Sequence, residues 1–67
     1  MEKDVLTKRE YEVFCSVLQG LKSREIGELL FVSEKAVKFH LTNIYRKLNI
    51  KNRPELIEKY GGIHGRE

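Results

Sequence analysis

Apolar side chains recur at helical spacing in four separate stretches of the chain. In the first, Phe14, Val17 and Leu18 mark one face of a helix. Thr7 is placed as its N-cap, Glu10 completes a capping box, and Leu6 and Tyr11 flank the start as a hydrophobic staple. Gly20 stands where a helix C-terminal glycine belongs, so the first helix is predicted over about residues 8–19. Ser23 is the expected N-cap of a short second helix over about 24–31, with Ile26, Leu29 and Leu30 on one face. Phe31 and Val32 leave a turn of roughly three residues before Ser33, another good N-cap. Val37, Leu41, Ile44 and Leu48 then step by four, three and four, giving one apolar stripe on a third helix over about 34–48. Asn49 can take the left-handed conformation that ends it. Asn52 is the expected cap of a fourth helix over about 53–60, with Pro54 in the first turn and Glu55 at the capping-box position. Leu56, Ile57 and Tyr60 supply its apolar contacts. Gly61-Gly62 is expected to stop it, leaving 61–67 as a mobile tail. The predicted fold is all-α, a four-helix bundle with no strand, in one domain over 1–67 whose ordered core is about 5–60.

Two helices joined by a tight turn, the second of them long and basic, match a helix-turn-helix. Such a motif needs a very small residue where the first helix approaches the second, and Gly27 is that residue. Glycine costs about 1 kcal/mol of helix propensity relative to alanine, so a packing reason for it is expected. Ile26, Leu30, Val32 and Val37 fall where the motif needs apolar side chains. A generic helical bundle is the bland alternative.

Charge sharpens the picture. The 67 residues carry 13 Lys+Arg and 10 Asp+Glu, a net of +3, but the distribution is uneven. Residues 33–53 hold six basic side chains (Lys35, Lys38, Arg46, Lys47, Lys51 and Arg53) and one acidic, Glu34. The segments on either side are each slightly negative. A basic block in a nearly neutral chain points to a polyanion partner, although a solvated lysine-rich helix face gives the same count. Opposite the apolar stripe of the third helix lie Lys35, Lys38, Phe39, Thr42 and Arg46. A helix fits the major groove of B-form DNA, and its N-terminal half reaches the base edges. Lys38 suits guanine O6 and N7, Phe39 a thymine methyl, and Thr42 either a base or phosphate. Arg46, two turns on, suits the backbone. Ser33 and the amides that start the helix suit a phosphate. Lys35, Lys47 and Lys51 add salt-sensitive attraction that is blind to sequence.

The ensemble Leu6-Thr7-Lys8-Arg9-Glu10-Tyr11-Glu12-Val13-Phe14, Gly20, Ser23-Arg24-Glu25-Ile26-Gly27, Val32-Ser33-Glu34-Lys35-Ala36-Val37-Lys38-Phe39-His40 and Asn43-Ile44-Tyr45-Arg46-Lys47-Leu48 resembles the LuxR/FixJ/GerE-type DNA-binding domain. The resemblance covers about residues 5–60. It implies a four-helix helix-turn-helix, without a wing, that binds double-stranded DNA and regulates transcription in bacteria, here as a stand-alone domain. By matching position it implies Lys38, Phe39 and Thr42 as base-edge readers. Ser33, Lys35 and Arg46 would serve the backbone, and Arg24, Lys47 and Lys51 join that set. The family often dimerises through helix four. Leu56 and Tyr60, four apart on one face, are the candidate seam of a homodimer, with inward packing as the alternative; Ile57 is expected in the core. Ala36 stands where the family commonly has threonine, and Ser16 where it commonly has an aliphatic residue.

Other chemistry is sparse. The longest apolar run, Leu29-Leu30-Phe31-Val32, is too short to span a membrane. Met1-Glu2-Lys3-Asp4 is not followed by the apolar stretch of a secretory signal. Cys15 has no second cysteine to pair with, which points to a reducing compartment, and it is expected to be a passive side chain. The expected location is the cytoplasm, on the nucleoid. His40 is expected to be structural, on the side facing the other motif helix, and His64 to be solvated. Phe14 and Tyr45 are expected in the core. Glu10 and Glu12 diverge on their helix, so Glu10 is expected to cap it and meet a basic residue of the motif. No nucleophile–base pair, metal-binding cluster or glycine-rich phosphate loop is present, so neither an enzyme nor a cofactor is expected. The competing function is a small adaptor or anti-activator that binds RNA polymerase or another regulator through the same fold.

Overall fold

The computed structural model of the protein describes the backbone of residues 5–65 and the side chains of residues 5–61. Four α-helices follow one another: α1 (Lys8–Leu18), α2 (Ser23–Leu30), α3 (Glu34–Leu48) and α4 (Arg53–Gly65). Among the described residues there is no strand. The helix-turn-helix is α2 and α3, joined by Phe31-Val32-Ser33. α3 packs on α1 and α2, and α4 packs on α1.

The helix starts follow from local hydrogen bonding. Thr7 Oγ1 accepts from Glu10 N at 3.1 Å and Glu10 Oε1 accepts from Thr7 N at 2.9 Å, the reciprocal box expected for α1. Ser33 Oγ accepts from Ala36 N at 3.0 Å and starts α3. Asn52 Oδ1 accepts from Glu55 N at 3.0 Å and starts α4. The Glu55 carboxylate reaches one residue further back than expected, accepting from Lys51 N at 2.8 Å. α2 differs from expectation at its first residue. Ser23 is already helical, Lys22 is the N-cap, and the Lys22 amide donates to Glu25 Oε1 at 2.7 Å. The carboxylate at the third helical position, accepting from the N-cap amide, is the side chain that holds this start.

Three helices end the same way, with a left-handed residue and a hydrogen bond from the amide after it to a carbonyl five residues earlier. After α1 this is Gly20 at φ 92°, with Leu21 N donating to Ser16 O. After α3 it is Asn49 at φ 58°, with Ile50 N donating to Tyr45 O. After α2 it is Phe31 at φ 62°, with Val32 N donating to Gly27 O. A phenylalanine pays a steric penalty there that glycine avoids.

α4 corrects two expectations. Gly61-Gly62 does not stop it: the helix continues to Gly65. Glycine weakens a helix by about 1 kcal/mol per residue but forbids nothing, and extending an existing helix adds a backbone bond for each residue fixed. Residues 61–65 are therefore helical rather than a tail. The expectations for Arg66, Glu67, the His64 side chain and Met1–Asp4 lie outside the described residues.

The core is one cluster: Leu6, Val13, Phe14, Val17, Ile26, Val37, Leu41, Ile44, Leu48, Ile50, Leu56 and Tyr60. Tyr11, Cys15, Leu18, Leu21, Leu30, Val32 and Tyr45 pack against it. Leu29, expected on the inward face of α2, is exposed instead. Ile26 and Leu30 lie four apart on the inner side, and Leu29 lies beyond the edge of that stripe. Gly27 is buried, and a methyl built on it would lie 2.7 Å from the Val32 carbonyl oxygen. The small residue is thus needed against the turn backbone, which lets α3 start directly beneath α2.

Candidate nucleic-acid interface

The burial pattern of α3 divides it lengthwise. Val37, Leu41, Ile44 and Leu48 are buried, and Lys35, Lys38, Phe39, Thr42 and Arg46 are exposed. Phe39 is 65% exposed and the Lys38 side chain equally so. The side chains expected to read base edges therefore stand together on the free side of the helix.

Each polar group on that side has a defined chemical state. Thr42 Oγ1 donates to Lys38 O at 3.0 Å, so outward it presents a methyl group and acceptor lone pairs. Ser33 Oγ is occupied as an acceptor by Ala36 N, so its own O–H remains to donate to an anion. Arg46 Nη2 donates to Asn43 Oδ1 at 2.7 Å, which holds the guanidinium along the helix. Lys38 Nζ lies 3.5 Å from Glu34 Oε2. On α2, Arg24 Nε lies 3.7 Å from Glu28 Oε2, a strongly exposed pair. Such surface pairs are worth about 0–1 kcal/mol and leave the cations available to a phosphate. His40 is half-buried, with its ring 5.9 Å from Phe39 in an edge-to-face arrangement.

Three of the expected site residues are placed apart from the exposed face of α3. Lys47 reaches across to α1: its Nζ donates to Glu10 Oε1 at 2.7 Å, and the Glu10 side chain is almost wholly buried. Burial raises the Glu10 carboxyl, but the hydrogen bonds from Lys47 and the Thr7 amide, with the charges of Lys47 and His40, outweigh it. The net shift is downward. Lys47 is thus paired with a carboxylate while about 32% of its side chain stays exposed. The bridge meets the expectation that Glu10 both caps α1 and pairs with a basic residue of the motif, here one 37 residues away. Leu56 and Tyr60 also leave the expected set. Leu56 is fully buried, Tyr60 is buried, and the Tyr60 ring lies edge-on to Phe14 of α1 at 5.3 Å. Both are core, which is the inward packing that stood as the alternative to a dimer seam. Ile57, expected in the core, is 39% exposed. α4 lays its Leu56–Tyr60 row on α1, and Ile57, one residue round from Leu56, faces outward.

Lys51 is exposed beside the start of α4, with its amide held by Glu55. Arg53, part of the basic block, donates from Nη2 to the Leu21 carbonyl and so ties α4 to the α1–α2 loop. Glu34, Asn43 and Arg53 have contacts that no expectation included. The Glu34–Lys38 and Asn43–Arg46 pairs were legible as neighbours one helical turn apart; the Arg53 contact was not. Among the described residues no helix is long and apolar enough to cross a membrane, and no group of His, Cys, Asp and Glu is placed to hold a metal ion.

This geometry is matched by family. Residues 4–60 match the family described as bacterial regulatory proteins, luxR family. The chain belongs to the luxR family. Over 54 residues, 81% of this chain, it is 48% identical to the oxygen regulatory protein NreC of Staphylococcus carnosus. Over 50 residues, 75% of this chain, it is 48% identical to the transcriptional regulatory protein LiaR of Bacillus subtilis. The matched regions are 25% and 24% of those proteins, so this luxR-family domain corresponds to about a quarter of the length of the curated relatives it matches.

Proposed function

We propose that the protein is a transcription regulator that binds double-stranded DNA in a sequence-specific way, with α3 in the major groove. The observation that carries this reading is the free face of α3, where Lys38, Phe39 and Thr42 are exposed together opposite a buried stripe. Lys38 donates to guanine acceptors, Phe39 meets a thymine methyl, and Thr42 offers a methyl and an acceptor. Ser33, Lys35 and Arg46 hold the phosphate backbone, with Arg24 and Lys51 as outlying attraction. Relatives named as an oxygen regulatory protein and a transcriptional regulatory protein support a regulatory role in bacteria. Such a role implies the cytoplasm and the nucleoid. A homodimer through α4 would rest on Ile57 rather than on the buried pair.

The test is selection of duplexes from a random pool, followed by anisotropy titrations at several salt concentrations. Lys38→Ala should relax base preference, and Lys35→Ala should weaken all sequences alike. Affinity for the selected site that does not change between about 50 and 200 mM salt would refute the phosphate contacts.

The exposed Leu29 and Phe31, the latter 93% exposed, favour a second reading in which the domain docks on RNA polymerase or another regulator. Capture of polymerase by wild type but not by Leu29→Ser, with no duplex bound, would select it.

A further inference from the structure

The free face of α3 carries one acidic side chain among its cations. Glu34 is the only Asp or Glu in residues 33–53. Its Oε2 lies 3.5 Å from Lys38 Nζ, and both side chains are exposed. The following inference rests on the duplex-DNA reading above. If Lys38 enters a major groove, Glu34 enters with it, because the two lie one turn, about 6 Å, apart along the helix.

A carboxylate can only accept hydrogen bonds. Most polar groups on the DNA also only accept: the phosphate oxygens, guanine O6 and N7, and thymine O4. The donors in the major groove are the exocyclic amino groups, cytosine N4 and adenine N6. Glu34 therefore meets one of these amino groups or stands against acceptors of its own sign. We propose that Glu34 is a specificity-determining residue: it accepts from an exocyclic amino group within about two base pairs of the guanine that takes Lys38. On DNA without that amino group it repels. Away from DNA it pairs with the Lys38 ammonium at 3.5 Å. An exposed pair of this kind is weak, so its exchange for base contacts is easy.

The experiment uses the 67-residue chain and its Glu34→Ala, Glu34→Gln and Lys38→Ala variants. Each is taken through selection from a random duplex pool. Anisotropy titrations then compare the wild-type site with a site in which the base pair carrying the amino group is replaced. Circular dichroism checks that each variant is helical. Wild type should lose about tenfold in affinity on that replacement, toward the lower end of what one good base contact gives. Glu34→Ala should lose that discrimination and bind random duplex more tightly than wild type, because a repelling charge is gone. Glu34→Gln should shift preference towards adenine, whose N6 and N7 suit a carboxamide. If Glu34→Ala selects the same site with the same discrimination while Lys38→Ala relaxes it, the role of Glu34 is refuted and the DNA reading stands. If wild type shows no salt-sensitive duplex binding, both fall together.

Discussion

Replacing Gly27 by alanine sets two effects of opposite sign against each other. Alanine is favoured over glycine in a helix interior by about 1 kcal/mol. Against this, the new methyl would lie 2.7 Å from Val32 O and 3.4 Å from both Glu34 N and Ser33 C. All are backbone atoms of the turn, so no side chain can rotate aside. Forcing a methyl into a filled site costs about 1–3 kcal/mol, and a fixed carbonyl as the obstacle puts this site in the upper half of that range. The net expectation is a loss of about 1–2 kcal/mol, or a fall in Tm of about 5–15 °C for a domain of this size. Thermal and urea unfolding followed by circular dichroism measure it directly. A rise in Tm would mean that propensity wins, and that α2 does not press on the turn as described.

Three further outcomes are expected from the same unfolding assays. Phe31→Gly should stabilise by about 0.5–1 kcal/mol, because the ring is 93% exposed and φ is 62°; a loss would reveal a packing role for the ring. Lys47→Met should cost about 2 kcal/mol near neutral pH, since it leaves the buried Glu10 carboxylate with the Thr7 amide alone. The folded Glu10 carboxyl lies below its ordinary value of 4.5, so the pair stabilises fully above that pH and fades as pH falls through the folded value. The gap between wild type and variant should therefore close in acid, and a gap constant with pH would refute the pairing. Leu56→Ala should cost about 2–5 kcal/mol, enough to unfold much of so small a domain, whereas Ile57→Ala should stay within about 0.5 kcal/mol. The reverse order would mean that α4 sits the other way round.

What could be read from sequence was local. The caps at Thr7, Ser33 and Asn52, the left-handed exits at Gly20 and Asn49, and the stripe on α3 all depend on residues within about four positions of one another. Gly27 was legible because a motif with a short turn demands closeness somewhere. Phe31 was not, because no propensity puts a large aromatic in a left-handed turn. The facing of α4 was also hidden: Leu56, Ile57 and Tyr60 are compatible with either of two inward rows, and packing on α1, where the Phe14 ring meets Tyr60, selects between them. The particular contacts of Lys47 and Arg53 were hidden for a related reason. Glu10 was expected to meet a basic residue of the motif, but which one was not local information, and the Leu21 carbonyl, distant in the chain, gave no sign of Arg53.

The bridge from Glu10 to Lys47 has a consequence for how a duplex would be gripped. Val32 pressed on Gly27 pins one end of α3, and the bridge pins the last turn. A rod fastened at both ends cannot tilt within its own domain to follow an imperfect groove. Accommodation then falls to the nucleic acid, whose readiness to bend and twist varies from step to step. Base pairs that no side chain touches would then influence affinity, and a stiff flank would weaken a site whose contacted letters are all correct.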